Sequence, residues 1–165
     1  MGKTLVVFYS ESGHTQRAAG RVAALLGAEL EQIRAPGLWR GLGGYLQRIW
    51  LALRGLQVAI APPREDPRDF DRVLLCSPVW AGHVSSPLRS YLIQMTGRLP
   101  EVAFVLTSGG RQVAGAFAEM AQLAGKPPLA EVDISARDRR RQEVEGKLDA
   151  FLAKLGEAER AKSAA

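Results

Sequence analysis

At 165 residues the chain suits one domain, and its 47% hydrophobic and 24% charged content is ordinary for a globular protein with a sizeable core. One cysteine, Cys76, excludes an intrachain disulfide and fits a reducing compartment, while the apolar start of the chain is too short for a signal-peptide core or a membrane span. The formal charge of +5 favours anionic partners, but the aromatic-interleaved basic motifs of nucleic-acid modules are absent, so no nucleic acid is expected.

Apolar runs alternate with helical periodicities along the chain. Residues Leu5 to Tyr9 read as a buried strand, followed by Ala18, Val22, Leu25 and Leu26 at helical spacing. Ala28 to Ile33 reads as a half-exposed second strand and Val73 to Cys76 as a buried third. Leu88, Tyr91, Leu92 and Met95 share one helix face, with Ser86 as N-cap and Pro87 at the first helical position. Val102 to Leu106 makes the fourth strand; Val113, Phe117, Met120 and Ala124 mark the next helix. Leu129 to Ile134 makes a fifth strand, and Val144, Leu148, Phe151, Leu152 and Leu155 a last helix. The domain is expected to span 1–155, and the small polar residues 156–165 to fray.

Alternating strands and helices of this kind predict an α/β fold. The expectation is a doubly wound five-stranded parallel sheet, order 2-1-3-4-5, with helices on both faces. Such sheets bind ligands beyond the carboxyl ends of their strands, at the switch between the first and third.

Three loops at that edge carry unusual chemistry. After the first strand, Ser10-Glu11-Ser12-Gly13-His14-Thr15 opens a helix; its hydroxyls, its glycine and the helix dipole suit a phosphate, though a single capped turn would read the same way. After the third strand, Ser77-Pro78-Val79-Trp80-Ala81-Gly82-His83 offers an aromatic ring for a planar ligand and a glycine for close backbone approach. After the fourth, Thr107-Ser108-Gly109-Gly110 is again small and hydroxyl-rich.

Together these segments resemble the flavodoxin family, in its small bacterial type, over residues 3 to 155. The resemblance implies FMN as cofactor. It implies that Ser10, Ser12, Gly13, His14 and Thr15 hold the phosphate, that Pro78, Val79, Trp80, Ala81, Gly82 and His83 line one side of the isoalloxazine ring, and that Ser108, Gly109 and Gly110 meet its other edge. The implied function is electron transfer, with a redox protein or a small donor or acceptor as partner; the cysteine usage and the short apolar start put the expected location in the cytoplasm. The fold is shared with FMN-dependent NAD(P)H and quinone reductases, which is the first alternative. A protoporphyrinogen oxidase-like activity, suggested by the Asp71-Arg72-Val73 and Gly82-His83 surroundings, ranks lower because the long insertion expected for it is missing. A cofactor-free interaction module is the non-enzymatic alternative.

Two departures from carrier flavodoxins stand out. The pI is about 9.8, where carriers are typically acidic, so an acidic partner is expected. The stretch Thr107 to Val113 holds no aromatic to cover the second ring face, which suits hydride or substrate access. His83 is the candidate proton donor. Cys76 reads as a core residue, and two histidines with one cysteine give no metal cluster.

Between the second and third strands, Leu38, Leu42, Tyr45, Ile49, Leu53 and Leu56 fit one helical face bordered by Trp39 and Trp50, with Arg40, Gln47 and Arg54 opposite. Gly41, Gly43, Gly44 and Gly55 would each weaken a helix by about 1 kcal/mol relative to Ala, so packing must hold it. A crossover helix packed on the sheet, its edge touching the flavin site, is the first expectation. A lid comes second and a membrane-surface helix last.

Overall fold

A computed structural model describes residues 2–38, 41–110 and 112–164. Its first strand, β1 (Thr4–Phe8), is buried along its whole length, as its β-branched and aromatic residues require in the middle of a sheet. The chain then forms α1 (His14–Leu26), ended by Gly27 in the left-handed conformation, and returns as β2 (Glu29–Gln32). After α2 (Gly41–Leu53) and a short 3₁₀ turn at Pro67–Asp69 comes β3 (Arg72–Trp80). The two-residue strand β4 (His83–Val84), α3 (Ser86–Gln94), β5 (Glu101–Ser108), α4 (Val113–Ala124) and β6 (Glu131–Ser135) follow. The last elements are α5 (Ala136–Arg141) and α6 (Val144–Ser163).

The sheet runs β2-β1-β3-β5-β6, every one of these neighbours parallel, with β4 hairpinned back onto the end of β3. Setting β4 aside, this is the expected doubly wound order. The sheet has six strands rather than five because the residues after Cys76 stay extended and pair, where a loop was expected.

Strand residues alternate between two cores, as a pleated ribbon dictates. Leu5, Val7, Val73, Leu75, Phe104 and Leu106 pack with Leu88, Tyr91 and Leu92 of α3 and Met120 of α4. Val6, Phe8, Leu74, Cys76, Val105 and Ile134 pack with Ala19 and Val22 of α1 and Leu148 and Phe151 of α6 on the opposite face. The chain crosses to one face after β1 and to the other after β3. A crevice therefore opens between β1 and β3 at their carboxyl ends.

Three local expectations need correction. The N-cap of α3 is Ser85, with Ser86 already helical, one residue earlier than expected. The last helix does not stop near Gly156: Glu159 pairs with buried Arg72, and Lys162 lies 2.6 Å from Glu101, which fastens its last turns to the amino ends of β3 and β5. The larger correction concerns α2. The face expected to pack on the sheet points outward, and the helix is seated through Gly44, Leu51 and Ala52 instead. Trp39 and Arg40, expected at its start, lie outside the described residues. No helix among the described residues is long and apolar enough to cross a membrane.

Candidate functional site

At the carboxyl end of β1 the chain turns through Ser10–Gly13 into α1. Ser10 Oγ accepts the Gly13 N–H at 3.2 Å, which closes the turn. Gly13 is the N-cap, at φ 84°, a conformation that favours glycine. Having no side chain, it cannot cap α1, and the first intrahelical bond is Arg17 N–H to the Gly13 carbonyl. The amides of the first turn are thus left for an anion, at the positive end of the helix dipole. Ser12 is exposed beside them. Burial, then the charges of Arg139 and Arg17, hold the His14 imidazole below its ordinary pKa. These two arginines, with His14, Arg21, Ile134 and Leu148, also line a cavity of about 330 Å³ behind the loop. The loop holds no cation, and its positive surroundings come from these flanks.

Thr15, read as a phosphate contact, is turned inward. Its hydroxyl meets that of Thr107 on β5 at 2.7 Å, both buried, and so fixes the loop's height above the sheet.

The second loop is a hairpin. Val79 pairs with Val84 and Trp80 with His83, leaving Ala81-Gly82 as a two-residue connection. Both have positive φ, 48° and 83°, the requirement of a type I′ turn. A Cβ on Gly82 would lie 3.3 Å from Gln112 Oε1, so the glycine also permits the hairpin tip to approach the start of α4. At the hairpin base, Ser77 Oγ accepts the Ser85 N–H at 3.1 Å. Trp80 is half-buried and stands edge-on to Tyr9, with ring centroids 5.7 Å apart. Burial and then Glu11 push the Tyr9 phenol up to about 12, against the opposing charge of Arg48, so it remains protonated.

Beside Trp80 lies a cleft of about 380 Å³, walled by Glu11 of the first loop, Val79, Trp80 and Ala81 of the hairpin, and Tyr45, Arg48 and Ile49 of α2. Arg48 crosses it: its guanidinium is 2.7 Å from Glu11 and 5.9 Å from the Trp80 ring centre. The edge of α2 therefore walls this cleft, although its apolar face is not buried there.

The third loop follows Thr107, which pairs with Pro78 beside the hairpin, and lies outside the lining of this cleft. Ser108 Oγ donates to Asp133 at 3.0 Å and accepts the Gly110 N–H at 3.1 Å, leaving Gly109 and Gly110 exposed at the sheet edge. Arg111 lies outside the described residues. Pro78 continues β3 toward the hairpin, and His83 is held on its far strand, Nδ1 3.3 Å from Glu119.

Glu119, Arg48 and Tyr9 were missed in the sequence. Glu119 is the one charged residue of α4, and its Oε2 also accepts the Val84 N–H at 3.2 Å. The signal was present: an acidic residue on the buried-facing side of α4 needs cationic or amide partners.

No protein-family model matches this chain, and no curated protein sequence matches it. Among solved structures the fold is well represented. A flavoprotein from Lactobacillus acidophilus NCFM, crystallised in complex with FMN, superposes with a TM-score of 0.69 at 22% identity, covering 88% of this chain and 99% of its own. A flavodoxin-type, WrbA-like protein from Agrobacterium tumefaciens gives 0.60 at 16% identity, covering 97% and 99%. The apo form of an NADH:FMN oxidoreductase gives 0.53 at 12%, covering 93% and 89%. The chain thus has the flavodoxin-like fold.

Proposed function

We propose that this protein binds FMN at the crevice between β1 and β3 and moves electrons through it. The observation that carries the reading is the uncapped, glycine-led start of α1, set at the switch point of the sheet beside Trp80. The first-turn amides and Ser12 would hold the phosphate. Trp80, anchored by Tyr9, would take the ring against the hairpin, and the exposed backbone of Gly109 and Gly110 would meet its other edge. FMN would supply the redox chemistry; the chain supplies orientation, charge and access. The solved structure with FMN and the oxidoreductase of the same fold support the reading without deciding between a carrier and a reductase.

The second reading, an FMN-dependent reductase of quinones or similar acceptors, is favoured by the lack of any aromatic in Thr107–Val113 to cover the outer ring face. His83, buttressed by Glu119, is then the candidate proton donor. In either case the partner is a redox protein, acidic by charge complementarity, or a small donor or acceptor.

Titration with FMN and with riboflavin, followed by NAD(P)H, tests both. Tight binding of FMN over riboflavin is expected. Rapid NAD(P)H oxidation by the loaded protein selects the reductase. A protein that stays colourless after reconstitution would refute FMN binding and leave the interaction-module reading.

A further inference from the structure

The largest anomaly on the surface is α2. Leu42 is 78% exposed, Leu53 61%, Leu46 60%, Tyr45 56% and Trp50 53%. On a helix of 3.6 residues per turn these five positions fall within one continuous face, spanning well under half the circumference. No charged side chain interrupts that stripe. A contiguous apolar face of this kind on a water-soluble surface marks a docking site.

Its surroundings say what docks. From Gln32 to Arg64 the sequence holds five arginines, at positions 34, 40, 48, 54 and 64, and no Asp or Glu. Arg48 is committed to Glu11 in the crevice, but Arg34, Arg54 and Arg64 are exposed. A second copy of this chain would set one arginine-bearing stretch without acidic residues of its own against another and repel itself. An anionic surface meets it with opposite charge. At about 1.5 Å per residue the helix is about 20 Å long, too short to cross a hydrocarbon layer of about 30 Å. Leucines flanked by Tyr and Trp are the composition of helices that lie in the headgroup boundary.

We propose that α2 is an in-plane anchor that seats the protein on the surface of an anionic lipid bilayer. The exposed leucines and Trp50 enter the acyl boundary, and the arginines meet lipid phosphates. Sequence alone ranks this reading last for the segment; the outward direction of the stripe reverses that order. Tyr45 and Ile49 of the same helix line the crevice, so docking carries the crevice mouth to the lipid surface. The proposal does not depend on what the crevice binds.

The test is co-sedimentation of the full chain with vesicles of phosphatidylcholine, and of phosphatidylcholine and phosphatidylglycerol in equal parts. Binding is expected to the anionic vesicles and to weaken with salt. In a Trp39→Phe/Trp80→Phe background, the emission of Trp50 should shift to the blue on binding. Leu46→Gln with Leu53→Gln, both exposed and outside the crevice lining, should cut vesicle affinity more than tenfold while circular dichroism and melting temperature are kept. Absence of binding, or binding that ignores these substitutions, would overturn the proposal. So would a dimer in sedimentation velocity that the two substitutions dissolve, since a second copy would then cover the stripe.

Discussion

Arg89 Nε on α3 donates to Glu119 on α4 at 2.7 Å, joining two helices on the same face of the sheet under the hairpin that carries Trp80. Arg89 is almost wholly buried and also reaches the Leu56 carbonyl at 3.2 Å, while Glu119 accepts from Val84 and contacts His83. One carboxylate thus supports the hairpin from below and satisfies a buried cation.

Glu119→Gln leaves that cation without its counter-charge. Breaking a buried pair by removing one partner costs about 3–5 kcal/mol, and the partial exposure of Glu119 puts the expectation at about 2–3 kcal/mol. Urea unfolding should show it as a lower midpoint at an unchanged slope. A loss below about 0.5 kcal/mol would mean that the pair is not holding the helices together.

The first loop separates a buried, structural hydroxyl, that of Thr15, from an exposed one, that of Ser12, which the proposed function gives to the phosphate. Thr15→Val removes the buried bond to Thr107 and should cost about 1 kcal/mol of stability or more, because the Thr107 hydroxyl is left unsatisfied. Ser12→Ala, at an exposed position, should leave the melting temperature unchanged yet weaken FMN roughly tenfold, at about 1.5 kcal/mol for a hydrogen bond to a charged group. Riboflavin affinity should not respond to Ser12→Ala. If it falls as much as that of FMN, Ser12 is not at the phosphate.

That separation shows what the sequence could and could not convey. The glycine- and hydroxyl-rich loops and the apolar strands are legible because they are local: Gly13 must take a positive φ, and Leu5 to Phe8 must be covered on both sides. The direction of the Thr15 hydroxyl depends on Thr107, ninety-two positions away. The face of α2 was misread for a related reason. The helix is apolar around most of its circumference, and Gly44 and Ala52 pack by being small, so periodicity alone does not say which side is inward. The segment after Cys76 reads as a ligand loop because Trp80 and Gly82 suit a planar ligand, whereas Ala81-Gly82 is also the turn that lets Trp80 pair with His83.

Asp138 gives a pH prediction. It closes a capping box with Ser135 at the start of α5 and lies 2.8 Å from Lys147. Burial raises its carboxyl, but the bonds from Lys147 and from the Ser135 hydroxyl and amide outweigh that and hold it at about 2. An unfolded Asp titrates near 3.9. The stabilisation is therefore full above about pH 4 and is lost as pH falls toward about 2. Asp138→Asn should flatten that part of the acid limb and cost about 1 kcal/mol at neutral pH through the weakened cap. An acid limb identical to that of the wild type would place the titration elsewhere.

Cys76 is fully buried in β3, and burial alone pushes its thiol up. A thiol so placed is protonated and inaccessible, hence inert. Alkylation at pH 8 should modify it at the rate of global unfolding and no faster, with or without FMN. Rapid labelling of the folded protein would show that the core between β3, α1 and α6 opens locally.

Trp80 is the residue on which the proposed ring site turns. It is half-buried in the hairpin, braced edge-on by Tyr9 and approached by Arg48, so its indole is already oriented when a ligand arrives. An aromatic contact is worth about 0.5–1.5 kcal/mol beyond the area it covers. Trp80→Ala should then raise the FMN dissociation constant by about tenfold or more, and Trp80→Phe by much less. Tryptophan emission should be strongly quenched when FMN binds, and the quenching should survive Trp39→Phe with Trp50→Phe. If instead it disappears in that double variant and persists in Trp80→Phe, the flavin lies against α2 and not against the hairpin, and the role given to Trp80 passes to the helix beside it.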